Sequence, residues 1–157
     1  MPGGLECAIK MYISSNKMRI EVSGVWDLMH SGHVRLFKRV RQLAPPGEAV
    51  TLIVGVHSDK AVETYKRAPI IPYAQRVEMV AACRYVDEVV PEAPLVVTEK
   101  YMDEHAIDLV VHAHAEDDLQ YDQMYKVAIA QGKFHRLDYT SGISTTAIIE
   151  RAAATLS

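Results

Sequence analysis

The sequence predicts an α/β fold, an open sheet of parallel strands with helices on both faces. Strand-like and helix-like segments alternate along most of the chain, and parallel strands need such crossover helices. Residues 50–56, VTLIVGV, form an almost continuous apolar run, which is typical of a strand buried on both faces. The chain has 157 residues, 49% hydrophobic and 24% charged, as expected of one globular domain. Residues 1–16 show no clear period and are interpreted as an N-terminal extension of a domain over 17–157.

The amino-terminal half begins with a strand and a helix. Residues 17–23, KMRIEVS, alternate polar and apolar side chains as a strand does. After a turn at Gly24, residues 33–42 place apolar side chains at roughly helical spacing, and the Ala-Pro-Pro-Gly run at 44–47 ends that helix. The next elements are the strand at 50–56, a helix over 73–84 and a strand over 86–90.

The carboxyl-terminal half repeats this alternation. Thr98 can cap a helix over 98–104, and Gly132 can close a helix over 121–131, since these residue types favour the two ends of helices. Ser144 can cap a final helix, STTAIIERAAA. The remaining strands are predicted at 109–112 and 134–139.

Composition and charge exclude several classes of protein. The net charge is −3 at pH 7, whereas a chain that binds nucleic acid usually has a strong basic excess. No apolar run reaches the roughly 20 residues of a membrane span, and no signal peptide is visible. Cys7 and Cys83 cannot form a disulfide framework, and Cys83 is expected to be a buried core residue. We therefore expect a protein of the cytoplasm that does not insert into membranes.

The segment between the first strand and the first helix carries the clearest chemistry. Parallel sheets bind ligands beyond the carboxyl ends of their strands, and residues 24–33, GVWDLMHSGH, lie there. A helix N-terminus offers free N–H groups to a phosphate, and Gly32 lets a ligand approach the backbone. His30 and His33 can donate hydrogen bonds at the same place. Two unrelated loop histidines would not be expected to flank a Ser-Gly pair at such a turn, so we expect a phosphate site.

These residues resemble the HxGH signature of the nucleotidyltransferase superfamily. Residues 139–146, YTSGISTT, resemble the R-T-E-G-I-S-T-T motif of cytidylyltransferases. Residues 84–94, with R-Y-V-D-E-V-V and E-A-P, resemble the choline-phosphate and ethanolamine-phosphate cytidylyltransferases, and the chain is also similar to the glycerol-3-phosphate enzymes. The resemblance extends from Arg19 to Arg151 and implies a Rossmann-like fold of the HxGH nucleotidyltransferase type.

The resemblance implies a reaction, transfer of CMP from CTP to a small phosphorylated alcohol with release of pyrophosphate. In such transfers the protein mainly positions groups and neutralises charge. Mg²⁺ is expected to arrive with CTP, and a homodimer is expected from the family. The acceptor could be ethanolamine phosphate, choline phosphate, glycerol 3-phosphate or a phosphonate.

The resemblance also assigns roles to residues. His30, His33 and Lys66 are the expected catalytic residues, and Arg76 is expected to meet the acceptor phosphate. The expected nucleotide-binding residues are Gly24, Val25, Trp26, Gly32, His112, Thr140, Gly142, Ile143, Ser144, Thr145 and Thr146. Arg67 could share the phosphate-binding role of Lys66. Spacing alone would also fit Lys66 as a solvated loop residue and Arg76 as an exposed helix residue. No metal site is expected at His112 and His114, because no further ligand has convincing spacing.

Two segments depart from the family motifs. Tyr139 stands where the family has an arginine, and Arg136 is a possible substitute. The family's acidic pair after the fourth strand is replaced by residues 111–118, VHAHAEDD, where the acids come later.

The residues expected around the acceptor favour ethanolamine phosphate. Choline enzymes surround the quaternary amine with an acid, a tryptophan and a tyrosine; this chain has Ser23, Leu95 and either Ala115 or Glu116 at those places. We therefore expect ethanolamine phosphate, or another acceptor without a quaternary amine, to be preferred. Movement of Tyr121 or Tyr125 into the site would rebuild part of a cage.

Two other functions remain open on sequence grounds. An adenylyltransferase of the pantetheine-phosphate or flavin type shares the HxGH motif, although the G-I-S-T segment argues against it. A non-catalytic nucleotide-binding module is supported only by Tyr139 and the altered acidic segment.

Overall fold

The computed structural model describes residues 17–157 and contains one parallel sheet; the predicted extension at 1–16 and Cys7 lie outside the described residues. The strands are β1 (Lys17–Gly24), β2 (Ala49–Val56), β3 (Glu88–Pro91), β4 (Leu109–Ala113) and β5 (Phe134–Leu137). They lie in the order β3-β2-β1-β4-β5, and each neighbouring pair is parallel. The chain therefore crosses to the other side of β1 after β3, which makes the carboxyl end of β1 a topological switch point. The predicted α/β fold is confirmed.

Seven helices connect and follow the strands in the described part of the chain. They are α1 (Ser31–Arg41), α2 (Asp59–Val62), α3 (Tyr73–Ala81), α4 (Glu99–Glu104), α5 (Gln120–Met124), α6 (Lys126–Ala130) and α7 (Thr145–Leu156). Thr98 and Ser144 cap α4 and α7 as predicted, with each side chain accepting a backbone N–H. None of these helices is both long and apolar enough to cross a membrane.

The structure differs from the predicted elements at several places. The short helix α2 was not predicted; Ser58 caps it by accepting from the backbone N–H of Ala61. The predicted helix over 121–131 is two short helices, because Tyr125 leaves the helical conformation at φ −111° and buries its side chain. The helix predicted over 73–84 ends at Ala81, and the strand predicted over 134–139 ends at Leu137.

Two apolar clusters cover the two faces of the sheet. On one face Ile20 and Val22 of β1 pack with Phe37 and Val40 of α1. On the other face, Ile53 and Val110 lie in a cluster with side chains of α4 and α6. Successive strand residues point to opposite faces, so β1 contributes side chains to both layers.

Cys83 does not match its predicted position. It is only half-buried, because it follows the end of α3 and packs at the margin of the first apolar cluster. The expectation of a buried core cysteine was wrong.

Candidate active site

A cavity of about 780 Å³ lies at the carboxyl ends of β1 and β4. Its walls come from the loop after β1, the first turn of α1, the segment after α2 and the segment that leads into α7. Most of the residues predicted for the site line it, namely Gly24, Val25, Trp26, His30, Gly32, His33, Lys66, His112, Thr140, Ile143, Ser144, Thr145 and Thr146. Gly142 and Arg76 are not among its lining residues.

The two motif histidines form the N-terminal cap of α1. The Nδ1 atom of His30 accepts from the backbone N–H of Gly32 at 3.0 Å. The Nδ1 atom of His33 accepts from the backbone N–H of His30 at 3.3 Å. The two rings stack with centroids 3.9 Å apart. This reciprocal arrangement is a capping box built from two imidazoles.

The cap determines which nitrogen of each ring carries the proton. A neutral imidazole has one donor and one acceptor nitrogen, and here both Nδ1 atoms accept. The proton of each ring is therefore on Nε2. The Nε2 atom of His30 lies 3.4 Å from Oγ1 of Thr145, on the opposite wall of the cavity. Both rings are thus oriented as hydrogen-bond donors from Nε2.

Burial keeps both rings neutral. It lowers the pKa of His30, and it lowers the pKa of His33 to about 4, to which the nearby His30 contributes. Because an imidazolium would place a proton on Nδ1, charging either ring also conflicts with its capping bond. The cavity therefore presents neutral donors at neutral pH, and a bound anion would raise both pKa values.

Gly32 and Trp26 pack tightly against the rings of the two histidines. A Cβ atom on Gly32 would lie 2.7 Å from Cε1 of His30, so only glycine fits between the rings and the helix. The indole of Trp26 packs edge-on against His33, with ring centroids 5.4 Å apart, and donates to the carbonyl of Gly55 at 2.7 Å. Trp26 has a φ of 57°, a conformation that few non-glycine residues adopt.

The segment before α7 brings a second helix N-terminus to the same cavity. Ser144 caps α7 by accepting from the backbone N–H of Ala147 at 3.1 Å. Thr145 donates from Oγ1 to the carbonyl of Asp27 at 3.2 Å, which links this segment to the histidine loop. Two helices of 11 and 12 residues thus begin at one cavity, and each contributes free N–H groups and a partial positive charge.

Asp27 joins the histidine loop to the segment that carries Lys66. Its carboxylate accepts from the backbone N–H groups of Ile70 and Ile71 and from the guanidinium of Arg67. Burial alone would raise the pKa of Asp27, but these hydrogen bonds lower it below its usual value. Arg67 lies at the cavity, yet its charge is partnered by Asp27.

Lys66 reaches the cavity from the neighbouring position. Its ammonium lies 5.2 Å from the ring centre of Tyr65 and makes no ion pair within the described residues. The partial desolvation of this wall lowers its pKa. Lys66 is therefore the cation better placed to meet an incoming phosphate, and Arg67 is held as a structural partner of Asp27.

Arg76 is buried instead of exposed, with 1% of its surface accessible. Its guanidinium donates to the carbonyls of Ile71, Val25 and His57 and forms a 2.6 Å ion pair with Asp59. The structure therefore does not bring Arg76 together with the other predicted site residues. Its contact with the acceptor phosphate stays a prediction, and it would require the guanidinium to leave these partners.

An aromatic group lies at the end of β4. The Nδ1 atoms of His112 and His114 are 3.0 Å apart, so one ring donates and the other accepts. Tyr121 and Tyr125 pack against His112, with centroids 4.4 and 5.1 Å away. Burial, followed by the nearby His114, lowers the pKa of His112 to about 3. His112 is thus a neutral wall of the cavity.

Tyr139, which replaces the arginine of the family motif, lies at the cavity, whereas the possible substitute Arg136 does not. Tyr139 lines the cavity and is 62% exposed. Arg136 does not line the cavity; it donates to the carbonyl of His114 and to Asp138 at 2.7 Å. The geometry therefore gives no support to Arg136 as a substitute.

A buried carboxylic acid lies just behind the cavity, and sequence reasoning missed it. Glu21 is fully buried in β1, where Oε1 accepts from the hydroxyls of Ser23 and Tyr101 and Oε2 has no partner. Burial raises the pKa of Glu21 to about 7. A glutamate in a strand with alternating polar and apolar residues is usually exposed to solvent. The burial of Glu21 is evident only once the second apolar cluster is seen to cover its face of the sheet.

No cluster of three or more His, Cys, Asp and Glu side chains within residues 17–157 is arranged to hold a metal ion.

Comparisons with known proteins identify the family of the chain. The model of the cytidylyltransferase-like family matches residues 22–151, which include both helix caps and Lys66. The choline-phosphate cytidylyltransferase of Saccharomyces cerevisiae is 41% identical over 139 residues, 85% of this chain and 31% of that protein. The ethanolamine-phosphate cytidylyltransferase of Arabidopsis thaliana is 32% identical over 153 residues, 94% of this chain and 35% of that protein. The chain thus spans about a third of the length of these relatives.

A solved structure shows the same fold. The lipopolysaccharide core biosynthesis protein of Thermoplasma volcanium superposes with a TM-score of 0.62 at 20% identity, covering 79% of this chain and 98% of that one. The sheet order, the two helix caps at one cavity and the match to the family model lead to one conclusion: the chain belongs to the cytidylyltransferase-like family.

Proposed function

We propose that this chain transfers CMP from CTP to a small phosphorylated alcohol, giving a CDP-alcohol and pyrophosphate. The observation that carries the proposal is the pair of stacked imidazoles, whose Nδ1 atoms cap α1 and whose Nε2–H groups remain as donors in the cavity. Oriented donors of this kind stabilise charge on a phosphate without needing to reorganise.

The proposed reaction is an in-line displacement at the α-phosphorus of CTP. An oxygen of the acceptor's phosphate forms the new P–O bond, and the bond to the β-phosphate breaks, so pyrophosphate leaves with the bonding electrons. His30 and His33 donate to the oxygens around the reacting phosphorus, and Lys66 balances their charge. The N-termini of α1 and α7 bind the outer phosphates. Mg²⁺ enters as part of the CTP complex.

The surroundings of Ser23 support ethanolamine phosphate as the acceptor. Ser23 lines the cavity and Leu95 is aliphatic, while Tyr121 and Tyr125 are buried with His112 packed against their rings. A quaternary amine needs free aromatic faces, whereas a primary ammonium can donate to hydroxyl and carboxylate oxygens. The relatives of the chain include enzymes named for each of the two acceptors.

We also propose a homodimer, from the family resemblance. From the composition and charge of the chain, we propose a protein of the cytoplasm that does not bind nucleic acid or insert into membranes. Gel filtration with light scattering tests the dimer.

A pyrophosphate-release screen tests the proposed reaction. CTP and ATP are each supplied with Mg²⁺ and with ethanolamine phosphate, choline phosphate, glycerol 3-phosphate, pantetheine phosphate or flavin mononucleotide. CTP-dependent release that needs an acceptor supports the proposal. Pyrophosphate release that occurs with ATP and an acceptor but not with CTP would identify an adenylyltransferase. Binding of CTP without any turnover would identify a non-catalytic module.

A further inference from the structure

The two sides of β1 have different chemistry at the cavity. The motif histidines stand on the side of α1, with the first apolar cluster beneath them. Ser23 and His112 point to the other side: Ser23 follows Glu21 by two residues, and His112 packs on Tyr121 and Tyr125 of the second cluster. The cavity therefore extends from the phosphate-binding groups across the end of β1 to Ser23.

Glu21 is an acid with no counter-ion within the described residues, 17–157. The sheet register places it opposite Ile53 on β2 and Val110 on β4, both of which are core residues of the second cluster. None of the ion pairs among residues 17–157 includes Glu21. Such an acid costs stability when it ionises, and an acid of this kind beside a ligand cavity is a candidate for a functional role.

Ser23 connects this acid to the cavity. Its hydroxyl has one proton, which it donates to Oε1 of Glu21. The lone pairs of the Ser23 oxygen are then left to accept from a ligand in the cavity. Gly55 and Ala93 pack closely around Ser23. A Cβ atom on Gly55 would overlap the Ser23 hydroxyl and the Ala93 methyl group. Ser23 is thus a nearly buried residue of the cavity wall, with a carboxyl group directly behind it.

We propose that Glu21 sets the acceptor specificity of this enzyme: acting through Ser23, its carboxylate supplies the negative charge that selects an acceptor with a protonated amine. This inference rests on the proposed function. An ammonium group donates to the Ser23 oxygen and is attracted by the charge one hydrogen bond further in. A neutral polyol gains only the hydrogen bond.

The same arrangement predicts a pH-dependent preference. The titratable groups that face Glu21 are the phenols of Tyr101 on α4 and Tyr125 between α5 and α6, and burial raises both of their pKa values, so they stay neutral. Glu21 itself has a pKa of about 7 and loses its proton as the pH rises from 6 to 8. Ammonium acceptors should therefore be favoured increasingly over this range.

The test compares ethanolamine phosphate with glycerol 3-phosphate at saturating CTP, in the wild type and in Glu21→Gln. In the variant at pH 8, the KM for ethanolamine phosphate should rise about tenfold or more. The KM for CTP and the kcat/KM for glycerol 3-phosphate should be unchanged. Glu88→Gln is the matched control, because Glu88 is a half-exposed carboxylate outside the cavity. An equal loss with both acceptors, or no loss with either, would overturn the proposal.

The wild type alone provides a second measurement that does not depend on the folding of the variant. Each KM is calculated for the dianionic form of the acceptor, because the ammonium group lowers the second phosphate pKa of ethanolamine phosphate relative to that of glycerol 3-phosphate. The measured quantity is the ratio of these two KM values. Between pH 6 and 8, the KM for ethanolamine phosphate should fall relative to the KM for glycerol 3-phosphate. A ratio that does not change with pH would overturn the proposal. Preferred turnover of glycerol 3-phosphate would leave CMP transfer intact and refute the role of Glu21. Absence of turnover with every acceptor would refute the proposed function and this inference with it.

Discussion

The carboxylate of Asp27 accepts a hydrogen bond from the guanidinium of Arg67 at 3.1 Å, across 40 positions of the chain. The same carboxylate accepts the backbone N–H groups of Ile70 and Ile71. One buried side chain in the histidine loop therefore holds the whole segment that follows Lys66. The position of Lys66, the proposed catalytic lysine, thus depends on a residue that touches no phosphate in the proposed mechanism.

Replacing Asp27 should lower both stability and turnover. Asp27→Ala leaves two backbone N–H groups and one guanidinium without their partner, which should cost about 2–3 kcal/mol of unfolding free energy. The KM for CTP should rise in the same variant, since the Lys66 segment loses its anchor. Arg67→Ala is the control and should have a smaller effect, because the backbone bonds to Asp27 remain. Urea unfolding and steady-state kinetics measure both effects; an Asp27→Ala variant with normal stability would contradict the anchor.

Replacing either motif histidine should lower kcat by roughly two to four orders of magnitude, the usual effect of losing a positioned donor. His30→Asn separates the two roles of His30, because asparagine is a good N-cap and lacks the Nε2 donor. We expect His30→Asn to unfold at a urea concentration close to that of the wild type but to turn over as slowly as His30→Ala. Near-normal kcat in the alanine variants would refute the catalytic assignment.

Lys66→Ala should harm catalysis far more than Lys60→Ala. Lys66 lines the cavity and makes no ion pair among residues 17–157, whereas Lys60 lies on α2, outside the cavity lining. The comparison uses kcat/KM for CTP under identical conditions. Equal and small losses would make Lys66 an ordinary surface lysine.

Arg76→Lys tests whether this buried guanidinium has any direct role with substrate. Lysine cannot reproduce four directed hydrogen bonds, so we expect a loss of about 3–5 kcal/mol of unfolding free energy. At a temperature where the variant remains folded, the KM for the acceptor should be close to that of the wild type. A large rise in that KM with little loss of stability would instead support the predicted phosphate contact.

The stability of the protein should depend on His33 below pH 6.5. The folded pKa of His33 is about 4, below the 6.5 of an unperturbed histidine. The unfolded chain therefore binds more protons between these values, and the His33 contribution is lost as the pH falls. The slope of unfolding free energy against pH should be less positive in His33→Asn than in the wild type. Glu21→Gln should change the slope in the opposite sense, since burial raises the pKa of Glu21.

The proposed phosphate-binding part of the site could be predicted from the sequence because the residues that form each helix cap are close together in the chain. Strand, HSGH and helix follow one another within 24–41, and Ser144 caps α7 by the same local rule. Ring orientation was not predictable, because spacing does not show which imidazole nitrogen meets a backbone N–H. The cap that fixes the Nε2–H tautomer became evident only from the coordinates.

The supporting residues could not be predicted, because their partners are distant in sequence. Arg76 looks like an exposed helical arginine until the carbonyls of Val25 and His57 are placed around it. The alternation of β1 is typical of a half-buried strand, yet helices cover both of its faces and bury Glu21. Tyr125 interrupts a continuous helical pattern, since its ring packs on Phe134 of β5.

Helix α7 has a consequence for how ligands enter and leave. It buries none of its residues, so it can separate from the sheet without exposing the core. Opening of α7 should therefore require much less free energy than global unfolding, and its backbone amides should exchange with deuterium far sooner than those of β1. If CTP binds as proposed, it would connect the α7 N-terminus to the histidines, and adding CTP should slow that exchange. In the proposed reaction the triphosphate would hold the last helix against the domain, and departure of pyrophosphate would release that helix.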